Sequence, residues 1–125
     1  MTPLFGVSDS VADKWSYFGG GVDLGTAWRA PGYNDSGWAT GSPVFAIESS
    51  TLSQPKRTIL AGNPANSGQP YPTHYFRKHF AFSGDLSNSV LRLNVMLGDG
   101  AVIYINGNEV LRIGMDGGEP VEKAL

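Results

Sequence analysis

The sequence predicts an all-β chain of antiparallel strands, and three observations carry that prediction. Residues 90–97 alternate with a period of two, Leu91, Leu93, Val95 and Leu97 on one face and Val90, Arg92, Asn94 and Met96 on the other. Asn106-Gly107 separates two further alternating runs and tolerates positive φ at both central positions of a type I′ turn. No helical period longer than two turns appears, while 17 Gly and 8 Pro punctuate the 125 residues at turn-like intervals.

Taken in chain order, residues 14–18 read as a short opening strand, and Gly19-Gly20-Gly21 follows as a flexible turn. Trp28, Tyr33 and Trp38 are then spaced through Pro, Asn, Asp and Gly, which makes them anchors of a long loop. Residues 49–72 are polar and carry Pro55, Pro64, Pro70 and Pro72, so a strand is expected at 57–60 to divide an otherwise overlong connection.

Residues 74–82 form the next expected strand, with Phe76, Lys78, Phe80 and Phe82 on one face and Tyr75, Arg77 and His79 on the other. After the 90–97 strand, whose leucine face is assigned to the core, Gly98-Asp99-Gly100 breaks the pattern. Residues 101–105 and 109–113 then make a hairpin around Asn106-Gly107. Trp15 and Trp38 are assigned to the interior, because two clearly amphipathic strands supply too few aliphatic side chains to fill it. Truncating a buried Trp38 would cost about 3 to 5 kcal/mol.

A formal net charge of -2, with 9 basic residues scattered along the chain, creates no field to gather polyanions or anionic lipid, so nucleic acid is not an expected partner. No apolar run approaches the ~20 residues of a membrane span, and membrane insertion is not expected. Without cysteine there is no disulfide framework and no thiolate metal site. His74 and His79, five apart on one strand, face opposite ways and do not chelate one metal. A calcium ion held by backbone carbonyls leaves no side-chain trace, so calcium stays open while no other cofactor is expected.

Catalytic patterns are equally thin. Asp23, Asp35, Asp85, Asp99 and Asp116 stand beside Gly, Asn or Ser, where carboxylates satisfy backbone donors in turns. No Gly-x-Ser-x-Gly elbow occurs, and the glycine run is not followed by the Lys-Ser/Thr pair of a phosphate loop. The expectation is a non-enzymatic protein. Trp15, Trp28, Trp38, Tyr33, Tyr71 and Tyr75 contain candidates for a sugar-stacking platform; the loop members Trp28, Tyr33 and Tyr71, with Arg29 or Asp35 bonding hydroxyls, form the candidate glycan site.

The stretches WSYFGGGVDLGTAWRAPGYNDSGWATG, HYFRKHFAF and LRLNVMLGDGAVIYINGNEVLR, in that order and spacing, resemble the galactose-binding-like jelly-roll modules appended to bacterial exported proteins and glycoside hydrolases. The resemblance covers most of residues 14–115 and implies one antiparallel β-sandwich domain over 1–125, with 1–13 a lead-in and 116–125 a tail. It places Trp15 on the opening strand and has Trp28 and Trp38 pin the first long loop. It also implies a central strand holding Tyr75, Phe76, Arg77 and Phe80, with Asp99, Gly100, Asn106 and Gly107 shaping the following hairpin.

Modules of this kind continue past the region of Arg112 with returning strands, so the resemblance also implies an incomplete sheet. Glu109, Leu111, Ile113 and Met115 are then the candidate interface for another chain or copy that supplies the missing strands. The expected role is accessory recognition of carbohydrate or a surface, outside the cell, on the cell surface or on a virion. The alternative is a structural assembly or particle-decorating subunit that binds no small ligand.

Overall fold

The computed structural model describes residues 14–47, 56–93, 97 and 100–114. Among them the chain is strand-rich, its helical content is limited to three single 3-10 turns, and no helix is long and apolar enough to cross a membrane. It divides into two compact units, Met1–Asp23 with Asp35–Ala81, and Leu24–Asn34 with Phe82–Leu125.

The first unit is organised by β1 (Trp15–Phe18), the centre of an antiparallel three-stranded sheet between β2 (Ala39–Gly41) and β7 (Tyr75–Arg77). The register sets Tyr17 opposite Phe76 and Phe18 opposite Tyr75. Alternation along β1 therefore loads both faces with rings. On one, Tyr17 stacks on Phe76 at 6.4 Å and Phe45 lies 4.8 Å from Phe76. On the other, Trp38 sits 5.8 Å from Phe18 and 6.5 Å from Tyr75. Trp15 and Trp38, assigned to the interior by sequence, are half-buried; Trp38 covers the Phe18 and Tyr75 rings.

Sheet length explains why the expected 74–82 strand shrinks to three residues. Arg77 pairs with Ser16 one residue from the start of β1, and beyond it Lys78 caps the end of the ladder by donating from Nζ to the Lys14 carbonyl at 2.8 Å. Phe80 and Phe82 lie outside the strand and are exposed by 42% and 44%.

The rest of the first unit holds β3 (Phe45–Ala46), parallel to β4 (Thr58–Ile59), which falls inside the predicted 57–60 strand. Thr58 Oγ1 donates to the Ser42 carbonyl at 2.7 Å, and the buried residues Ser42, Val44 and Ala46 cluster along this join. Gly41 is required there: a Cβ at this position would lie 2.5 Å from Thr58 Oγ1. Next, β5 (Gly62–Asn63) and β6 (Gln69–Pro70) enclose a 3-10 turn at Pro64–Asn66. Asn63 caps that turn by accepting from the Ala65 amide at 2.9 Å, and the Gly68 amide closes the loop on the Asn63 carbonyl at 2.9 Å.

An ion pair joins distant positions of the first unit among the described residues. Arg77 Nε donates to Asp35 Oδ2 at 2.8 Å, with the Arg77 side chain only 8% exposed and that of Asp35 21%. The Asp35 carbonyl accepts from the Trp38 amide at 2.9 Å, so the same residue sets the turn that carries Trp38 onto the sheet.

In the second unit β8 (Ala101–Ile105) and β9 (Asn108–Ile113) form the predicted hairpin. Ile105 pairs with Asn108 across a two-residue turn in which Asn106 and Gly107 have φ of 50° and 84°, the signature of type I′. The ladder passes from Ile103↔Leu111 to Tyr104↔Glu109 and skips Val110, a residue that is 6% exposed. A simple alternation puts Val110 and Arg112 on a common face; the bulge re-aims the strand at this point. Elsewhere in this unit Asp85 caps a 3-10 turn at Leu86–Asn88. Its carboxyl is held below the ordinary carboxylate value by the Ser87 hydroxyl, then by the Ser87 backbone N–H and the Asn88 amide.

The predicted 90–97 strand is the main correction. Residues 90–93 and 97 belong to no strand, and Val90, Leu91, Leu93 and Leu97 are exposed by 85%, 38%, 39% and 40%; residues 94–96 lie outside the described residues. A period of two prepares a face for burial, but a strand also needs a neighbour to accept its backbone hydrogen bonds.

Two substitutions test these ties. Gly107→Val is expected to destabilise the hairpin by about 1 to 2 kcal/mol through positive φ alone, since the nearest atom to an added Cβ is the Arg29 carbonyl oxygen at an ordinary 3.7 Å. Denaturant unfolding reads the loss, and Gly107→Asn, which accepts the left-handed region, should recover most of it. Asp35→Ala is expected to cost about 1.5 to 3 kcal/mol by removing the charged acceptor of a half-dry guanidinium. A change no larger than about 0.5 kcal/mol, the size of an ordinary surface substitution, would show that the pair is solvated.

Candidate functional site

Trp28 and Arg29 belong to a 3-10 turn, Ala27–Arg29, whose backbone bonds run from the Arg29 amide to the Thr26 carbonyl at 3.2 Å and from the Ala30 amide to the Ala27 carbonyl at 3.1 Å. One turn of 3-10 helix sends consecutive side chains in different directions. Both nevertheless reach Tyr104 on β8: Trp28 meets it edge-on at 5.6 Å, and the Arg29 guanidinium lies over its ring at 4.6 Å. The cation is thus held in place from below.

Beside this cluster, at the tip of the β8–β9 hairpin, lies an open depression of about 400 Å3 lined by Thr26, Arg29, Ala30, Pro31 and the turn residues 106–108. The lining residues carry a hydroxyl, a guanidinium and two side-chain amides, of which Asn108 Nδ2 donates to the Asn106 carbonyl at 3.4 Å. Among the described residues Arg29 has no carboxylate partner. The nearest acidic residue along the hairpin, Glu109, accepts from Arg112 Nη2 at 2.5 Å.

The five sequence-predicted glycan residues are divided between the two units. Trp28, Arg29 and Tyr33 belong to the second unit, where Tyr33 closes the loop through its amide on the Ala30 carbonyl at 3.0 Å. Only Arg29 lines the depression, and Trp28 supports it through Tyr104. Asp35 and Tyr71 belong to the first unit. There Asp35 is taken up by Arg77, and the Tyr71 ring packs so closely on Gly21 that a Cβ would lie 2.6 Å from its Cε1. Tyr104, Thr26 and Asn108 escaped sequence reading, and Asn106 entered only as a turn residue. The signal lay in the two asparagines that flank Gly107 in the sequence.

Of the predicted interface residues, Glu109 is bonded to Arg112, while Leu111 and Ile113 are half-buried opposite Ile103 and Ala101. Met115 lies outside the described residues.

The first unit carries a second, more apolar hollow of about 310 Å3, lined by Tyr17, Phe18, Trp38, Ile59, Leu60 and His74 among others. His74 Nε2 is shielded from water, has no hydrogen-bond partner and packs on Gly19, where a Cβ would lie 2.9 Å from it. Burial lowers the His74 pKa from its usual 6.5, because charging the ring there forfeits hydration without a counter-charge.

Comparison of the chain with protein-family models, with curated proteins and with solved structures finds no match.

His74 gives a pH test. With the folded value below 6.5, the unfolded chain takes up the proton first as the pH falls. The stability contributed by neutral His74 is therefore complete above about 6.5 and is lost from there down toward the lowered folded value. Thermal midpoints between pH 7.5 and 5 should decline in the wild type and flatten in His74→Phe. An identical slope in both would assign the loss to other groups.

Proposed function

We propose that the chain is a non-catalytic recognition module of the galactose-binding-like β-sandwich kind, working outside the cell, on the cell surface or on a virion, and that it binds glycan at the hairpin-tip depression. The observation that supports this reading is the lining itself: Thr26, Arg29, Asn106 and Asn108 are hydrogen-bonding residues that line it together with Pro31. Such groups hold sugar hydroxyls. Tyr104 fixes the guanidinium before a ligand arrives, which reduces the ordering cost of binding.

A second reading has its own observation. In the second unit Phe82, Val90, Leu91, Leu93 and Leu97 are each more than a third exposed. Large apolar side chains exposed in number favour coverage by protein, as in a structural assembly subunit that binds no small ligand.

One experiment separates the two. Oligosaccharides titrated into the chain and followed by NMR should shift the Asn106 and Asn108 amide signals with a dissociation constant on the order of millimolar or tighter. No shift, together with self-association in sedimentation that Leu91→Lys and Leu93→Lys abolish, would select the assembly reading.

A further inference from the structure

Resting on the depression being a glycan site, we infer that it selects a saccharide carrying one carboxylate, such as a uronic acid, over its neutral counterpart. The charge pattern of the lining argues for this. Arg29 is its only ionised side chain, it has no carboxylate partner among the described residues, and its guanidinium is braced over the Tyr104 ring at 4.6 Å. Glu109, the acidic residue of the hairpin, accepts from Arg112.

The rest of the lining is neutral and hydrogen-bonding. One planar cation beside three neutral polar side chains matches a planar monoanion flanked by hydroxyls, which a guanidinium grips with two parallel bonds. A phosphate monoester, nearly a dianion at neutral pH, asks for a second cation that this lining does not contain.

The test is calorimetric titration of the full chain with galacturonate, a single carboxylate, and with its methyl ester, which keeps the hydroxyls and removes the charge; neutral galactose and a singly sulfated galactose complete the set. The acid is expected to bind about tenfold tighter than the ester, with the preference shrinking as salt rises. Arg29→Gln should bring acid and ester to equal affinity. Because that substitution also removes the contact with Tyr104, the salt dependence of the wild type serves as a reading that needs no variant. Equal binding of acid and ester, tighter binding of the sulfated sugar, or a preference that survives both high salt and Arg29→Gln would overturn the inference while leaving the glycan site standing. If no saccharide binds, the glycan reading fails and takes the inference with it.

Discussion

The contact between Arg77 and Asp35 is the constraint on which the first unit depends. Their positions are 42 residues apart in sequence, and the bond is made between a side chain almost withdrawn from water and one still partly wet. Asp35 then has two duties: its carboxylate takes the guanidinium, and its carbonyl starts the turn that delivers Trp38. Remove that fixed point and the indole loses its approach to Phe18 and Tyr75, leaving one face of the β2-β1-β7 sheet uncovered. A charge-assisted bond thus positions an apolar contact, and each makes the other more favourable by excluding water from it.

Neither unit relies on a deep interior. Among the described residues the buried apolar side chains are Val44, Ala46 and Val110, all small or medium in size, and no large side chain is fully buried. Cohesion comes from rings that are half-covered, each contributing part of its transfer free energy, and from tilted or edge contacts at 4.8 to 6.5 Å. The same construction explains how the second unit presents a cation. An arginine lying on an aromatic ring needs the ring on one side and solvent on the other, which a half-buried Tyr104 supplies and a fully enclosed one would not.

What could be read from sequence was what is local. The hairpin of β8 and β9 was legible to within one residue, because Asn106-Gly107 encodes its own backbone conformation, and β1 and β4 were legible within one or two positions. The bulge at Val110 was not, since alternation assumes an unbroken ladder. Residues 90–93 failed for a different reason: their pattern describes a face ready for burial, and pairing depends on a strand elsewhere. The site was legible in the same proportion. Arg29 and Trp28 stood out by residue type, whereas Tyr104 joined them only through folding, and Asp35 turned out to be committed to an arginine that no spacing rule connects to it.

The loop between β5 and β6 has a practical consequence. It is closed at its base by the Gly68 amide on the Asn63 carbonyl and capped internally by the Asn63 side chain, while residues 64–70 all face solvent. Its ends are therefore held together by bonds that do not involve its apex, and Ser67 with φ of 54° already marks a reversal of chain direction there. Foreign sequence spliced in after Asn66, beyond the capped Ala65 amide, would lengthen a closed loop at a small entropic cost that grows only with the logarithm of its length. That makes the apex a natural port for a fluorophore, an affinity tag or a tether to a surface, far in sequence from both the Arg29 depression and the Asp35 tie.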